Sequence, residues 1–408
     1  MDFPIYELGD LCNISIGRTP PRNEFKWFNQ ETQSYKWVSI KDMGKCGKYI
    51  YSTSETITRE GQREFNIPIV PQNTVILSFK LTVGRVAITG DEPMLTNEAI
   101  AHLVIKDENI LNKEYLYYYL KNFNYDTLGN TSSIATAVNS KTIKRLQIVV
   151  PPYEKQLEIV SALIELDEKI ATSQYINNNL EEQAQTIFRN WFIDLAPFTG
   201  CQTIETDAGV IPINWAHGCA SNFFEINIGK TPPRAESKWF KREKDSNDSI
   251  WTSISDMGSC GMYISDSKEY LTNEAIKNFN IITVPKGSVL LSFKLTVGRV
   301  CIADKNLTTN EAIARFLMPK DFYTPFVYLY LKQFKYRTLG STSSIATAIN
   351  SKIIKNMPFF LPDEDIIKQF YNAINPLFEL INNKCQEIKA LSDLRDSLMK
   401  KLIPTLNK

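Results

Sequence analysis

Residues 151–192 read PPYEKQLEIVSALIELDEKIATSQYINNNLEEQAQTIFRNWF and predict one long helix over residues 156–191. Apolar side chains recur three and four residues apart along this helix. They are Leu163, Leu166, Ile170, Leu180, Ala184, Ile187 and Trp191, with Ser173 and Asn177 at the two remaining positions of the pattern. This spacing places one apolar stripe along one face of the helix, as in a coiled coil. At about 1.5 Å per residue the helix spans roughly 54 Å. A stripe of that length needs a partner helix.

A second stretch, residues 366–402, supplies the partner. Its stripe consists of Ile374, Leu377, Ile381, Ile388, Leu391, Leu398 and Leu402, with Lys384 and Arg395 at the remaining positions. Each position lies 211 residues after its counterpart in the first stretch. Pro376 predicts a bend in the first turns. The two helices are expected to pair antiparallel within the chain; pairing with another protein is the alternative.

The repeat extends beyond the helices. IGRTPPR at 16–22 returns as IGKTPPR at 228–234, DMGKCG at 42–47 as DMGSCG at 256–261, LSFKLTVGRV at 77–86 unchanged at 291–300, TNEAIA at 96–101 unchanged at 309–314, and TLGNTSSIATAVNSK at 127–141 as TLGSTSSIATAINSK at 338–352. The chain is therefore a globular domain plus a long helix, written twice.

The predicted fold class is α+β, with two similar mixed globular domains, two long helices packed as an antiparallel coiled coil, and a pseudo-twofold internal repeat. Runs at 74–79, 86–89 and 102–105 predict strands, and residues 112–124 predict a short helix. The predicted parts are a first domain (1–151), a long helix (152–195), a linker (196–212), a second domain (213–362) and a second long helix (363–408). The domains are expected at opposite ends of the helices, a distance of roughly a turn and a half of B-DNA.

Composition narrows the class of protein. Apolar residues make up 43% of the 408-residue chain, which suits ordinary folded cores. The net charge of +1 argues neither for nor against binding to nucleic acid, since only local clustering of charge matters. No window resembles a membrane span, and MDFPIYELGD is unlike a signal peptide. The seven cysteines include no CxxC pair, so reduced thiols in a cytoplasmic protein are expected rather than disulfides or a metal site.

Basic and aromatic side chains interleave in residues 16–50, where seven Lys or Arg residues face three acidic ones. The equivalent segment 228–261 is weaker, with six basic residues against five acidic ones. Lys and Arg side chains can position a nucleic-acid backbone, and aromatic rings can pack on sugars or bases. The alternative is that this segment is an ordinary solvated surface. The candidate DNA contacts here are Arg18, Thr19, Arg22, Lys26 and Lys41, with Lys230, Thr231, Arg234 and Lys238 in the second copy.

Two further repeated loops carry candidate contacts. In LSFKLTVGRV a glycine at 84 and 298 permits a tight turn, and the candidates are Lys80, Thr82, Arg85, Lys294, Thr296 and Arg299. The polar run before residue 141 offers hydroxyls and a cation to phosphates or base edges, and the candidates are Ser132, Ser133, Lys141, Ser343, Ser344 and Lys352. The alternatives are a hairpin repeated only because the chain is duplicated, and a turn followed by a helix cap.

Catalytic motifs are missing from the sequence. His102 and His217 are the two histidines, and they do not occupy matched positions. No G-x-S-x-G, H-E-x-x-H or P-loop motif occurs. VPPY at 150–153 approaches the Asn-Pro-Pro-Tyr of adenine methyltransferases but lacks the Asn, and a proline-led entry to the long helix explains it better. No catalytic residue or metal ligand is predicted.

The order domain, helix, domain, helix resembles the specificity subunit of type I restriction–modification systems over essentially the whole chain. The lead-in PP-x-x-x-Q at 151–156, the helix exit NWFID at 190–194 and the second-domain entry GVIPINW at 209–215 carry this resemblance. It implies that each domain is a target recognition domain reading half of a split double-stranded DNA site. The helices would set the gap and dock two methyltransferase subunits, which bring S-adenosylmethionine, with motor-nuclease subunits that use ATP and Mg²⁺ in the restriction complex. This chain would bind no cofactor and catalyse nothing.

The likeness of the two domains adds a further expectation. Similar loops should read similar bases, and a twofold-related pair of readers predicts inverted half-sites, so the split site should be palindromic or near-palindromic. A non-catalytic assembly scaffold, a stand-alone DNA-binding protein and a stand-alone DNA enzyme are the alternative functions.

Overall fold

The computed structural model describes residues 3–29, 34–125, 140–246, 248–339 and 349–405. The chain forms two compact units, residues 1–172 with 389–408, and residues 173–388. Each long helix is thus divided between the units, whereas the sequence predicted boundaries at the helix ends.

The first unit contains both strands and helices. Its strands are β1 (Ile5–Glu7), β2 (Cys12–Ile16), β3 (Ser34–Val38), β4 (Tyr49–Ile50), β5 (Glu55–Thr58), β6 (Val75–Ser78), β7 (Val86–Thr89), β8 (Leu95–Thr96), β9 (Ile100–Ile105) and β10 (Gln147–Val149). Its helices are α1 (Leu8–Leu11), α2 (Ile40–Met43), α3 (Arg59–Glu64), α4 (Lys113–Asn122), α5 (Ser140–Lys144) and the first part of α6 (Tyr153–Phe192). The sheets have the orders β2-β9-β6-β7-β4, β5-β3-β8 and β1-β10.

The second unit repeats this arrangement. Its strands are β11 (Thr203–Thr206), β12 (Gly209–Pro212), β13 (Ala216–Cys219), β14 (Glu225–Ile228), β15 (Phe240–Lys241), β16 (Ser249–Thr252), β17 (Tyr263–Ile264), β18 (Tyr270–Leu271), β19 (Val289–Ser292), β20 (Val300–Ala303), β21 (Thr308–Thr309), β22 (Ile313–Leu317) and β23 (Pro358–Leu361). Its helices are α7 (Ile254–Met257), α8 (Asn273–Asn278), α9 (Thr324–Gln333), α10 (Ser351–Lys355), the second part of α6 and the first part of α11 (Glu364–Leu402), whose last part belongs to the first unit. The five-stranded sheet, β14-β22-β19-β20-β17, has the order of its counterpart.

The predicted fold class is confirmed. The predicted strands correspond to β6, β7 and β9, and the short helix to α4. Residues 196–212, predicted as a linker, instead contain the hairpin of β11 and β12, in which Thr206 pairs with Gly209.

The long helices pair antiparallel inside each unit. In the first unit, Leu163 near the start of α6 shares a buried core with Met399 and Ile403 near the end of α11. In the second, Phe192 at the end of α6 packs against Phe370 near the start of α11, with ring centroids 4.8 Å apart. Pairing within the chain, rather than with another protein, is therefore the arrangement in both units.

The predicted stripes need two corrections. Leu402 is exposed, and its neighbours Met399 and Ile403 are buried in its place, because a straight helix drifts from a strict seven-residue repeat. The stripe of α6 is also wider than predicted, since Phe188 and Phe192 are buried beside it. The helix α11 continues through Pro376.

Buried Gln156 explains the PP-x-x-x-Q lead-in. Its side-chain oxygen accepts the N–H of Asn112 at 2.8 Å. Its amide group donates to the carbonyls of Ile110 and Pro151, both at 2.8 Å. Since Asn112 itself caps α4, one glutamine ties the start of the long helix to the globular part of the unit. The equivalent residue of the second copy is the buried Ile367, which replaces the hydrogen bonds by apolar packing.

Candidate nucleic-acid interface

The candidate residues of the first unit gather at one edge of the five-stranded sheet. Register pairs Ile16 with Ala101, Ile100 with Ser78, and Leu77 with Val86. The segments that leave these ends are therefore neighbours: 17–22 after β2, 79–85 between β6 and β7, and 97–99 before β9. We call these segments, with residues 39–44 at α2, the contact edge. The second unit has its own contact edge at 229–234, 253–258, 293–299 and 310–312, since Ile228 pairs with Ala314 and Leu291 with Val300.

Close backbone approaches hold this edge together. A β-carbon at Gly17 would lie 2.1 Å from the carbonyl oxygen of Thr96, and one at Gly229 would lie 2.0 Å from that of Asn310. Only glycine permits so close an approach. Next in the chain, the Thr19 hydroxyl donates to the Glu98 carboxylate, as that of Thr231 does to Glu311. Each hydrogen bond fixes the position of a carboxylate beside the candidate cations.

Arg18 and Lys230 are exposed and brace neighbouring loops. Arg18 donates to the carbonyl of Phe65 at 3.1 Å. Lys230 reaches the carbonyls of Phe279 and Asn280 at 3.3 and 3.2 Å. Exposed cations with flexible stems can exchange such weak surface contacts for phosphate oxygens, so both remain candidates.

Arg22 and Arg234 lie on aromatic faces. The Arg22 guanidinium is 4.6 Å from the Trp37 ring centroid and donates to Glu55 at 2.8 Å. Arg234 lies 4.6 Å from Trp251 and binds Glu269 through two hydrogen bonds of 2.8 Å. These bonds hold the pKa of Glu269 below its usual value. The stacking and pairing give both arginines a structural role that the spacing in the sequence did not reveal.

The remaining candidate lysines are exposed, and two of them, Lys26 and Lys238, follow just after the contact edges in the chain. Lys26 lies 4.3 Å over the Trp27 ring, and Lys238 lies 4.3 Å over Trp239. Lys41 in α2 is exposed, but its counterpart is Ser255. Lys80, Thr82, Lys294 and Thr296 are exposed on the repeated hairpins. The first contact edge therefore carries more positive charge than the second, as the sequence indicated.

Arg85 and Arg299 are half-buried supports of the hairpins. Arg85 donates to the carbonyl of Ile40 at 2.6 Å, and Arg299 to that of Ile254 at 2.5 Å. The receiving helix is itself capped: Ser39 accepts the N–H of Asp42, and Asp42 accepts that of Ser39. Burial raises the pKa of Asp42, but hydrogen bonds from Ser39 and Ser54 outweigh it and lower the pKa overall. The prediction that the two arginines contact DNA directly stays a prediction, beside this positioning role.

The last group of candidates lies elsewhere or outside the described residues. Ser132, Ser133, Ser343 and Ser344 lie outside the described residues. Lys141 is exposed in α5, whose other end packs against Gly9 near the start of β2, opposite the contact edge. Lys352 is exposed in the first turn of α10, which Asn350 caps. The described contacts do not bring either lysine to a contact edge, and the cap agrees with the helix-cap alternative.

His102 is structural. It is buried in β9, where its ring nitrogens contact the hydroxyls of Ser15, at 2.9 Å, and Thr96. Burial lowers its pKa to about 4, so the ring is neutral at pH 7. The equivalent residue, Arg315, is also buried and donates to the carbonyls of Ile282 and Ile228 at 2.9 and 2.8 Å. The other histidine, His217, is exposed and pairs with Phe360 between β13 and β23.

In the parts of the chain that the structure describes, no group of three or more His, Cys, Asp or Glu side chains is placed to hold a metal ion. The seven cysteines are free thiols. None of the helices in the described ranges is long and apolar enough to cross a membrane.

The sequence missed two features of the contact edge. Glu98 and Glu311 lie among the candidate cations, but their threonine partners are about 80 residues away in sequence. Leu81 and Leu295 stand at the hairpin tips with positive φ angles of 63° and 60°. The LSFKLTVGRV repeat signalled a tight turn at the glycine but not a strained leucine.

The chain is similar to known proteins in sequence and in fold. The chain is 25% identical over 98% of its length to the type I restriction enzyme MjaIX specificity subunit of Methanocaldococcus jannaschii, of which it covers 93%. It is 23% identical over 64% of its length to the type I restriction enzyme HindI specificity subunit of Haemophilus influenzae, of which it covers 69%. The crystal structure of the type I restriction–modification S subunit from M. genitalium matches 99% of this chain and 97% of that chain, at 14% identity and a TM-score of 0.51, and so shares its fold.

The family comparison accounts for both copies. The profile of the type I restriction modification DNA specificity domain matches residues 1–182 and again residues 212–390. Together these ranges cover most of the chain and correspond to the duplicated domain-plus-helix unit. The chain therefore belongs to the family of type I restriction–modification DNA specificity domains.

Proposed function

We propose that this chain is the sequence-specificity subunit of a type I restriction–modification enzyme. Each contact edge reads one half of a split double-stranded DNA site. The observation that carries the proposal is the duplication of one edge geometry, with Lys80 and Lys294 exposed on identical hairpins beside Thr19 and Thr231. Cations at such an edge engage phosphates, while polar side chains reach base edges.

The chain contributes no catalytic group in this proposal. Its one buried histidine is neutral in a structural network. Two methyltransferase subunits bind the protein and supply S-adenosylmethionine, and motor-nuclease subunits bring ATP and Mg²⁺. The complex acts on DNA in the cytoplasm.

The long helices support docking of those subunits. Each carries large apolar side chains that stay exposed although the opposite face of the helix is buried. These are Leu157 and Tyr175 on α6, and Leu380, Leu394 and Leu402 on α11. Exposed apolar residues aligned along a helix suit a protein partner.

Salt-dependent DNA binding tests the reading function. The full chain, co-expressed with a methyltransferase subunit of a type I restriction–modification system from the same host, is titrated against duplex DNA at increasing salt. Replacing Lys80 and Lys294 by Gln should weaken binding and reduce the slope of log K against log salt by about two, one phosphate contact each. Lys106→Gln, at the opposite edge of the first sheet, is the matched control and should leave the slope unchanged.

The alternatives give different results. An assembly scaffold would bind the methyltransferase but show no salt-dependent affinity for DNA. A stand-alone DNA enzyme would transfer methyl groups from S-adenosylmethionine without a second subunit. Methyl transfer that requires both proteins, together with the loss of slope, supports the proposed function.

A further inference from the structure

The tip of each repeated hairpin is a strained γ-turn centred on a leucine. The N–H of Thr82 donates to the carbonyl of Lys80 at 2.7 Å, and Leu81 between them has φ +63°. The second copy matches: Thr296 donates to Lys294 at 2.6 Å around Leu295, which has φ +60°. A γ-turn with positive φ is rare, and a branched side chain there is strained.

An exposed leucine with positive φ runs against the rest of the described chain. Of the other five described non-glycine residues with positive φ, four are asparagine (Asn29, Asn66, Asn73 and Asn280), and the fifth, Leu195, packs its side chain against the core of the second unit. Asparagine tolerates this conformation because its side chain can bond the local backbone. Leucine gains nothing comparable. Both hairpins nevertheless place one at the tip.

Packing within the chain does not compensate this strain. The Leu81 side chain is 93% exposed and that of Leu295 is 98% exposed, so neither buries apolar surface in the folded protein. Val83 and Val297, two residues further on, are also exposed, at 39% and 38%. Apolar burial within the chain therefore does not offset the strain, and a contact outside the chain would supply that burial.

The base of the hairpin is rigid, so the tip is held in place. The Ser78 hydroxyl donates to the carbonyl of Thr82 at 2.5 Å and accepts the N–H of Arg85 at 2.9 Å. A β-carbon at Gly84 would lie 2.7 Å from the Tyr125 ring, which shows how closely the ring supports the turn. Arg85 anchors the second strand of the hairpin to Ile40. Ser292, Gly298, Tyr336 and Arg299 repeat these contacts.

The charged side chains around the hairpin tip indicate which kind of molecule contacts the leucine. Lys80 precedes Leu81, and the tip rises from the edge that carries Arg18 and Lys41, all of them exposed. A lysine beside an apolar tip suits a polyanion whose interior is apolar, because the cation meets the phosphates while the leucine meets the stacked bases. Leucine is among the side chains that act as wedges between base steps.

We propose that Leu81 and Leu295 are wedges, each entering the base stack at one step of its half-site while Lys80 or Lys294 holds the adjacent phosphate. The inference rests on the proposed DNA-reading function and adds a mechanical element to it. Partial unstacking opens the duplex locally and makes the deformability of that step part of what is read.

The test uses the complex of the full chain with its methyltransferase. The probes are duplexes that carry the split site methylated in the host genome, with 2-aminopurine placed at successive steps of each half-site in turn. Binding of the wild-type complex should raise the fluorescence at one step, because unstacking relieves quenching. Leu81→Asn should abolish that rise in one half-site and Leu295→Asn in the other, with about tenfold weaker binding for each.

The variants are chosen so that misfolding cannot explain the result. Asparagine accepts the positive φ, so the melting temperature should stay equal or rise. Ile110→Asn makes the same kind of change at an exposed apolar residue beyond the opposite end of β9. It should leave both fluorescence and affinity unchanged.

Three results would overturn the wedge while leaving the proposed function standing. The leucine variants could bind and unstack DNA like the wild type. In a second outcome, the fluorescence would rise at no step, but replacing thymine by uracil would weaken binding. The leucines would then contact thymine methyl groups. The variants could instead lose the methyltransferase and keep DNA affinity, which would make the tip a protein contact. If the wild-type complex itself showed no salt-dependent DNA binding, the proposed function would fail first.

Discussion

Arg395 of α11 donates a hydrogen bond to the carboxylate of Asp167 in α6 at 2.8 Å, and both side chains are largely buried. The Tyr118 hydroxyl donates to the other oxygen of Asp167 at 2.6 Å. One carboxylate thus links both long helices to α4 within the first unit. In the second unit Glu181 of α6 accepts from Tyr328 of α9 at 2.7 Å and pairs with Lys332 at 2.9 Å.

Asp167→Ala should destabilise the first unit by about 2–3 kcal/mol, because it leaves a largely buried guanidinium and a tyrosine without their acceptor. Asp396→Ala is the matched control. Asp396 also binds Arg395 at 2.8 Å, but half of its side chain is exposed, so its loss should cost about 0.5 kcal/mol or less. Thermal denaturation of the two variants compares them directly. Equal losses would show that Asp167 is only a surface partner.

Mild acid should weaken the first unit through His102. Burial lowers the pKa of the folded histidine to about 4, against about 6.5 for the unfolded chain. The unfolded state therefore binds the extra proton first, and stability falls as the pH drops from about 6.5 to about 4, by roughly 3 kcal/mol at most. His102→Gln should remove this part of the pH dependence in denaturant titrations. A variant that loses stability over this range as steeply as the wild type would contradict the assignment.

Arg85→Ala should separate positioning from DNA contact. The variant leaves the Ile40 carbonyl without its donor and loosens the hairpin, so affinity for every DNA sequence should fall. If the guanidinium only positions the loop, the slope of log K against log salt should not change. A slope smaller by about one would instead identify a phosphate contact, and relaxed choice at one base pair would identify a base contact.

The two half-sites should be inverted copies or close to it. The contact edges share the threonine–glutamate pairs, the stacked arginines and the hairpins, while Lys41 and Arg18 are replaced by Ser255 and Lys230. Similar side chains on similar backbones should read similar bases. Because site symmetry mirrors protein symmetry, the internal repeat of the sequence predicts that the two half-sites are inverted. Methylome sequencing of the host reads the site directly. Two unrelated half-sites would show that the differing residues dominate recognition.

Much of the fold could be predicted from the sequence because its signals are local or repetitive. The helical stripe is visible at a spacing of three and four residues, and the offset between copies reveals the duplication. Leu402 was assigned wrongly because the buried face of a straight helix drifts away from a strict seven-residue repeat, so Met399 and Ile403 are buried in its place. The hairpin of β11 and β12 was missed because each strand has only four residues and neither alternates buried with exposed positions, so no period of two shows in the sequence.

The sequence by itself determined the two copies, their helices and the family, because helical periodicity and repeated motifs are visible in the sequence without coordinates. Only the tertiary structure decided which residues serve the contact edge and which support it. Thr19 meets Glu98, Gln156 meets Ile110 and Arg85 meets Ile40 across gaps of about 45 to 80 residues. Such pairings depend on the register of whole strands and helices, because a hydrogen bond requires a separation of about 3 Å that no spacing along the chain specifies.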